Sequence, residues 1–128
     1  MIEGKAFPWH EVYVPDVEAA VEFYTRVLGM TTQDYPMEGG HVYKMLCVDG
    51  VPVAGMMSTN HPEMPPGVPP HWPVYIGTED VDGCVERCKA AGGQLVHGPF
   101  DVPNVGRMAL LADSQGAHFW VYRSSNPD

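Results

Sequence analysis

The sequence predicts an α+β fold of two β-α-β-β-β modules, their sheets curved into an open barrel or trough with the helices outside. Three observations predict it. A strand-like stretch at residues 9–14 runs through Pro15-Asp16 into an amphipathic helix, and a weaker copy at residues 73–77 runs through Glu79-Asp80 into another. Asp16 and Asp80 lie 64 positions apart, half of a 128-residue chain, and Gly29 and Gly93 keep the same offset. Between the copies, residues 60–73 carry Pro62, Pro65, Pro66, Pro69, Pro70 and Pro73. Each proline removes a backbone donor and fixes φ, so this segment reads as a stiffened, extended connector rather than an SH3-type ligand. The expected organisation is a single domain over residues 1–128, with a first module at about 7–59, a linker at about 60–72 and a second module at about 73–124.

Taken in order, residues 8–14 alternate as a strand does, with Trp9, Glu11 and Tyr13 on one face and His10, Val12 and Val14 on the other. Asp16 is a good N-cap, because its carboxylate can accept the free N–H groups of the first turn. Val17, Ala20, Val21, Tyr24 and Leu28 recur at three- and four-residue spacing and make the helix's buried face. Gly29 stops that helix. A strand at residues 31–35 and a turn at 37–40 precede strands 41–48 and 51–58, joined across Asp49-Gly50, a favoured two-residue hairpin turn. The second module repeats the order. Residues 74–77 form a strand, and Asp80 caps a helix whose stripe is Val81, Cys84, Val85 and Cys88. Gly92-Gly93 ends it, and strands at 94–98, 106–112 and 117–123 follow.

Composition narrows the function classes. The net charge of −9 opposes a phosphate-backbone partner, and the seven Lys and Arg form no run, so nucleic acid is not expected. No apolar run approaches the roughly 20 residues that span a bilayer, and residues 1–8 lack a signal peptide's apolar core. No membrane partner is expected. Cys47, Cys84 and Cys88 are an odd number in a chain that needs no disulfide, which suits a reducing cytoplasm. Cys84 and Cys88, one helical turn apart, read as small apolar residues of the helix stripe rather than as a redox or metal pair. His10 reads as a packed core histidine facing the helices. His41, His61 and His97 fall at strand or loop ends, where exposure is expected. The serines form no nucleophile arrangement, and no Gly-rich loop is placed to cradle a phosphate.

Asp16-Val-Glu-Ala-Ala-Val-Glu-Phe-Tyr24, Val27-Leu-Gly-Met30, Asp80-Val-Asp82 with Ala90-Ala-Gly-Gly93, and the closing run from Val105 through Asp113-Ser-Gln-Gly116 to Phe119 together resemble the vicinal oxygen chelate superfamily. That is the group of glyoxalase I, bleomycin-resistance proteins and extradiol dioxygenases. The Trp9-His-Glu11 opening and the Pro-Pro-His-Trp72 lead-in resemble its glyoxalase-like branch, and Ser114 stands where proline is more usual. The resemblance implies the two-module fold and a homodimer. It leaves the activity open, because one fold hosts many chemistries.

The resemblance also implies where metal ligands would stand: seven residues before each helix-capping Asp, and on the last strand of each module. Here those positions hold Trp9, Pro73, a residue near Gly55, and Trp120. None offers a ligand for Mg, Mn, Fe or Zn. The usual metal site is therefore expected to be absent, with no cofactor. A displaced ion held by Glu11, His118 and His71 is the alternative, and with it a metal-dependent lyase or ring-cleaving dioxygenase.

Glu11 is the one charged residue expected to face the trough. Removing a carboxylate from water raises its pKa, so it is the candidate general acid or base, or else a substrate contact. The alternative is a carboxylate that salt-bridges a nearby Arg or Lys or reaches solvent at an open edge. Trp9, Tyr13, Trp72, Tyr75, Met108, His118, Trp120 and Tyr122 are the candidate ligand-binding residues. Aromatic walls with few polar groups suit planar or apolar small molecules, although the same set could fill space as an aromatic core. The expectation is a glyoxalase/bleomycin resistance-like protein that binds a small, partly aromatic molecule.

Overall fold

The computed structural model describes residues 9–37, 40, 42–61 and 64–125. They form two compact units, one of residues 9–72 and the other from Pro73 onward. Each carries one helix and one four-stranded sheet, so the fold is α+β with two β-α-β-β-β modules.

In the first module, β1 (Glu11–Val14) leads into α1 (Val17–Leu28). β2 (Thr31–Pro36), β3 (Val42–Val48) and β4 (Val51–Ser58) follow. The Asp16 carboxylate accepts the Ala19 N–H at 3.1 Å, an N-cap bond that satisfies one of the helix's free donors. Gly29 closes α1 in the left-handed region at φ 69°, its N–H bonded to Thr25 O. Asp49 and Gly50 both have positive φ, 52° and 78°, the geometry of a two-residue turn whose twist matches its strands. The sheet order is β1-β4-β3-β2, with β1 parallel to β4 and the other pairs antiparallel. Its helix-covered face packs Val12, Leu46, Ala54 and Met56 against Ala20, with Val14, Val17, Val21, Tyr24 and Met30 around them.

The second module repeats this plan with β5 (Tyr75–Gly77), α2 (Val81–Ala90), β6 (Gln94–Val102), β7 (Gly106–Ala112) and β8 (His118–Ser124). The Asp80 carboxylate accepts the Gly83 N–H at 2.9 Å and caps α2. The sheet order is β5-β8-β7-β6, again with the first pair parallel. Val81 and Val85 pack on Ala109, Leu111 and Val121, with Cys84, Cys88, Leu95 and Phe119 at the margin. The cysteines of α2 thus belong to the apolar stripe, as their spacing predicts. Arg107 on β7 ties this module together by two bonds to Asp82 of α2, at 2.8 and 2.9 Å, and one to Asp101 of β6 at 3.1 Å.

Four sequence expectations need correction. Leu28 is 57% exposed, and Met30, just past the Gly29 cap, packs on the core in its place. His10 is exposed, because regular pairing begins at Glu11 and His10 contributes only its carbonyl, to the Gly55 N–H. His97 is half-buried, because β6 runs on to Val102 instead of ending near Gly98. The linker is not extended throughout: Ser58 O accepts the His61 N–H and His61 O accepts the Met64 N–H, before His71 pairs with Tyr13. His41 lies outside the described residues. Among the described residues no helix is long and apolar enough to cross a membrane.

Candidate functional site

Successive side chains on a strand point to opposite faces. Since Val12 and Val14 of β1 enter the helix-covered core, Glu11 and Tyr13 fall on the helix-free face. Both are buried, at 5% and 3% exposure. A carboxylate so far from water requires a charge partner or strong hydrogen bonds. Glu11 has a donor two strands away: the Tyr43 phenol of β3 donates to Glu11 Oε2. The Trp9 indole N–H donates in turn to the Tyr43 oxygen at 3.0 Å. The three side chains form one directed chain, from indole N–H to phenol to carboxylate.

Gly55 makes that chain possible. It lies on β4 between the two strands, paired with Glu11 on one side and Met45 on the other. A Cβ at position 55 would fall inside the van der Waals envelope of the Tyr43 ring and hydroxyl. Glycine inside a strand commonly marks such a close approach. Burial pushes the Tyr43 phenol above the ordinary tyrosine range, and the Glu11 charge and hydrogen bond push the same way against the smaller opposing effect of the Trp9 donor. Tyr43 is therefore a neutral hydrogen-bond donor at physiological pH.

Tyr13 closes another side. It exchanges two backbone hydrogen bonds with His71, at 2.9 and 3.1 Å, and the His71 ring stands edge-on to the Tyr13 ring at 5.2 Å. The last linker residues thus extend the β1 edge. Trp72 does not join this face: its indole donates to the Tyr24 hydroxyl of α1 at 3.2 Å, on the helix side, and 45% of it is exposed. Having paired with β1 through His71, the chain turns Trp72 toward the helix.

The second module carries the same positions with different chemistry. Tyr75 pairs with Trp120 in the parallel β5–β8 ladder as Glu11 pairs with Gly55 in the β1–β4 ladder. Here the last-strand residue fills its own place. Trp120 stacks on Tyr75 at 5.8 Å, with Phe100 and His97 edge-on to it at 6.1 and 6.4 Å. Met108 of β7 pairs with Phe100 and Tyr122, and the Tyr122 hydroxyl donates to Val105 O at 2.9 Å. His118 is exposed at the start of β8, its Nδ1 2.9 Å from Gly116 O. Of the sequence candidates, the first module thus gathers Trp9, Glu11 and Tyr13, and the second gathers Tyr75, Met108, Trp120 and Tyr122. Tyr43, His97 and Phe100 were not anticipated.

The donor chemistry does not fit a divalent ion. Trp9 and Gly55 supply no ligand, and the room that a ligand from position 55 would need is taken by the Tyr43 phenol, which already bonds Glu11. Among the described residues no three His, Cys, Asp or Glu side chains are gathered to hold a metal. Of the displaced constellation, His71 Nδ1 lies 2.7 Å from Pro69 O and His118 Nδ1 2.9 Å from Gly116 O.

Comparison with known proteins agrees with this architecture. The sequence model of the Glyoxalase/Bleomycin resistance protein/Dioxygenase superfamily matches residues 6–121. The chain is 39% identical over 115 residues to "Putative glyoxylase CFP32" of Mycobacterium tuberculosis, covering 90% of this chain and 42% of that protein. It is 35% identical over 125 residues to "Anthracycline biosynthesis protein DnrV" of Streptomyces peucetius, covering 90% of this chain and 46% of the relative. The chain therefore spans less than half the length of these curated relatives. Among solved structures, a Streptomyces coelicolor methylmalonyl-CoA epimerase variant in complex with 2-nitronate-propionyl-CoA superposes with TM-score 0.63 at 19% identity, covering 97% of both chains. Methylmalonyl-CoA epimerase from Mycobacterium tuberculosis superposes with TM-score 0.59 at 17% identity, over 98% of this chain and 93% of that one. At such identities the structures share a fold with this chain, whereas the sequence match extends to family: the chain belongs to the glyoxalase/bleomycin resistance protein/dioxygenase superfamily.

Proposed function

We propose that this chain is a glyoxalase/bleomycin resistance-like protein that binds a small, partly aromatic molecule, with Glu11 as the polar contact and no resident divalent ion. One observation carries the reading. A buried carboxylate stands on a helix-free sheet face among Trp9, Tyr13 and Tyr43, where apolar walls surround a few placed polar groups. Trp9 and Tyr13 are assigned as ligand contacts beside Glu11. The reading carries with it a cytoplasmic homodimer. Cys47, Cys84 and Cys88 are free thiols, which suits a reducing compartment. Relatives named for anthracycline biosynthesis make polycyclic aromatics the first compounds to try.

The test is a tryptophan-fluorescence titration with a panel of one-ring to four-ring aromatic compounds. Saturable quenching is expected, with its amplitude reduced in Trp9→Phe and its affinity weakened about tenfold in Glu11→Gln, the worth of one charge-assisted hydrogen bond. Absence of saturable binding across the panel, or binding indifferent to both substitutions, would sink the reading. Elemental analysis of protein purified without chelator tests the other half. Stoichiometric Fe, Mn, Ni or Zn whose removal abolishes ligand binding would refute the ion-free site.

A further inference from the structure

The surroundings of the Tyr43 hydroxyl define a ligand group more narrowly than aromatic walls do. On one side of its oxygen stands a donor, the Trp9 indole N–H at 3.0 Å, and on the other an acceptor, the Glu11 carboxylate. The hydroxyl and the adjoining part of the ring lie over Gly55, which presents bare backbone. The complement of that arrangement is a hydroxyl on a flat ring. A protonated amine cannot accept from Trp9. An ether or ketone cannot donate to Glu11. An aliphatic alcohol satisfies both bonds but lacks the flat ring that lies against a glycine.

We propose that the Glu11–Trp9 site is selective for a phenolic hydroxyl, and that Tyr43 is a tethered stand-in which a phenol-bearing ligand displaces. This rests on the proposed function and deepens it by naming the ligand group. The exchange is like for like. A ligand phenol remakes both hydrogen bonds that Tyr43 gives up, so binding need only supply the ligand's remaining contacts. Tyr43 has somewhere to go. It is half-buried near the start of β3, its register partner Tyr35 on edge strand β2 is 54% exposed, and neighbouring Val42 is 60% exposed. The price is that ligand affinity falls by the fraction of molecules with Tyr43 swung out. A displaced population of about 10% or less lowers the apparent affinity about tenfold or more.

Two measurements test this. In wild-type protein with 15N-labelled indoles, titration with p-cresol should shift the Trp9 N–H resonance, identified among the three tryptophans by its loss in Trp9→Phe. Toluene and 4-methylanisole should not shift it. In Tyr43→Ala, which removes the stand-in, p-cresol should bind about tenfold or more tighter than in wild type, and well ahead of the other two. Equal binding of toluene and p-cresol would reduce the site to an apolar hole and overturn the proposal. So would tight p-cresol binding to Tyr43→Ala with an unmoved Trp9 resonance in wild type, which would make Tyr43 a fixed structural residue. Should Tyr43→Ala fail to fold, the wild-type titration decides alone. A non-phenolic aromatic bound through Glu11 would overturn this inference and leave the proposed function standing. Absence of any aromatic ligand would overturn both.

Discussion

Tyr43 reaches across Gly55 to donate its hydrogen bond to Glu11, so that a side chain of β3 satisfies a buried carboxylate of β1 over the bare backbone of the strand between them. Position 55 is thereby coupled to position 43. Gly55→Ala should force the phenol aside, at an overpacking cost of about 1–3 kcal/mol. The buried carboxylate would also lose the Tyr43 hydrogen bond, at about 1–3 kcal/mol more. In a Tyr43→Ala background the same substitution meets an empty space and should cost far less. Urea denaturation of the four proteins gives the coupling directly, and a value below about 0.5 kcal/mol, where independent sites fall, would contradict the geometry.

The same contact sets an alkaline limit. Tyr43 has a folded-state pKa raised above the ordinary value near 10, chiefly by burial and by Glu11. A group whose folded pKa is raised contributes stability that is complete below its unfolded pKa and is lost as pH climbs above it. Stability should therefore fall from about pH 10 upward. The Tyr43 phenol should resist ionisation in an ultraviolet titration until the protein unfolds. Tyr43→Phe should abolish that component and flatten the alkaline slope, although it lowers stability at neutral pH by about 1–3 kcal/mol through the bonds lost to Glu11 and Trp9.

The parts legible in the sequence were those set by local chemistry. Asp16 and Gly29 bound α1, Asp49-Gly50 turns the hairpin, and the alternation of β1 placed Glu11 and Tyr13 opposite Val12 and Val14. The Glu11–Tyr43 contact was not legible, because it depends on the register of β3 against β4, and a bulge between Leu46 and Cys47 shifts that register. The available signal was Gly55, a glycine inside a strand. His97 was hidden for a similar reason. Register shifts on both sides of it, between Leu95 and His97 and between His97 and Phe100, accompany its turn onto Trp120, and no two-residue period carries through them. Trp72 was misplaced because the bridge from His71 to Tyr13 is a tertiary event, invisible to a count of prolines.

Acid acts through exposed carboxylates. The Arg107 guanidinium holds Asp82 below the usual carboxylate range, and the backbone N–H groups of Ala117 and Gln115 do the same for Asp113. A depressed folded pKa gives stability that is present above the unfolded value and lost as pH falls through the folded one. Melting temperature should therefore decline below about pH 4. Both groups are solvent-exposed, so each effect is small, and the Asp82 part should shrink with added salt. Asp113→Asn should blunt the acid slope while keeping the turn, since an amide oxygen can accept the same N–H groups. Asp113→Ala should lower the melting temperature at neutral pH as well.

The duplicated plan makes a comparison possible within one chain. Leu46 on β3 and Leu111 on β7 are each 0% exposed, and each sits on the helix-covered face of its own module. Leu28 has the same side chain and a place on the predicted stripe of α1, yet is 57% exposed. Truncating a fully buried leucine forfeits its transfer free energy and leaves a cavity, so Leu46→Ala and Leu111→Ala should each cost about 2–5 kcal/mol. Leu28→Ala forfeits little of either and should stay within about 0.5 kcal/mol of wild type. Chemical denaturation of the three variants separates the structural reading of α1 from the periodicity reading. A Leu28→Ala cost comparable to the other two would restore Leu28 to the core and return Met30 to the surface. Unequal costs at Leu46 and Leu111 would show instead how differently the two copies tolerate a void, since the only chemical change is the same in both.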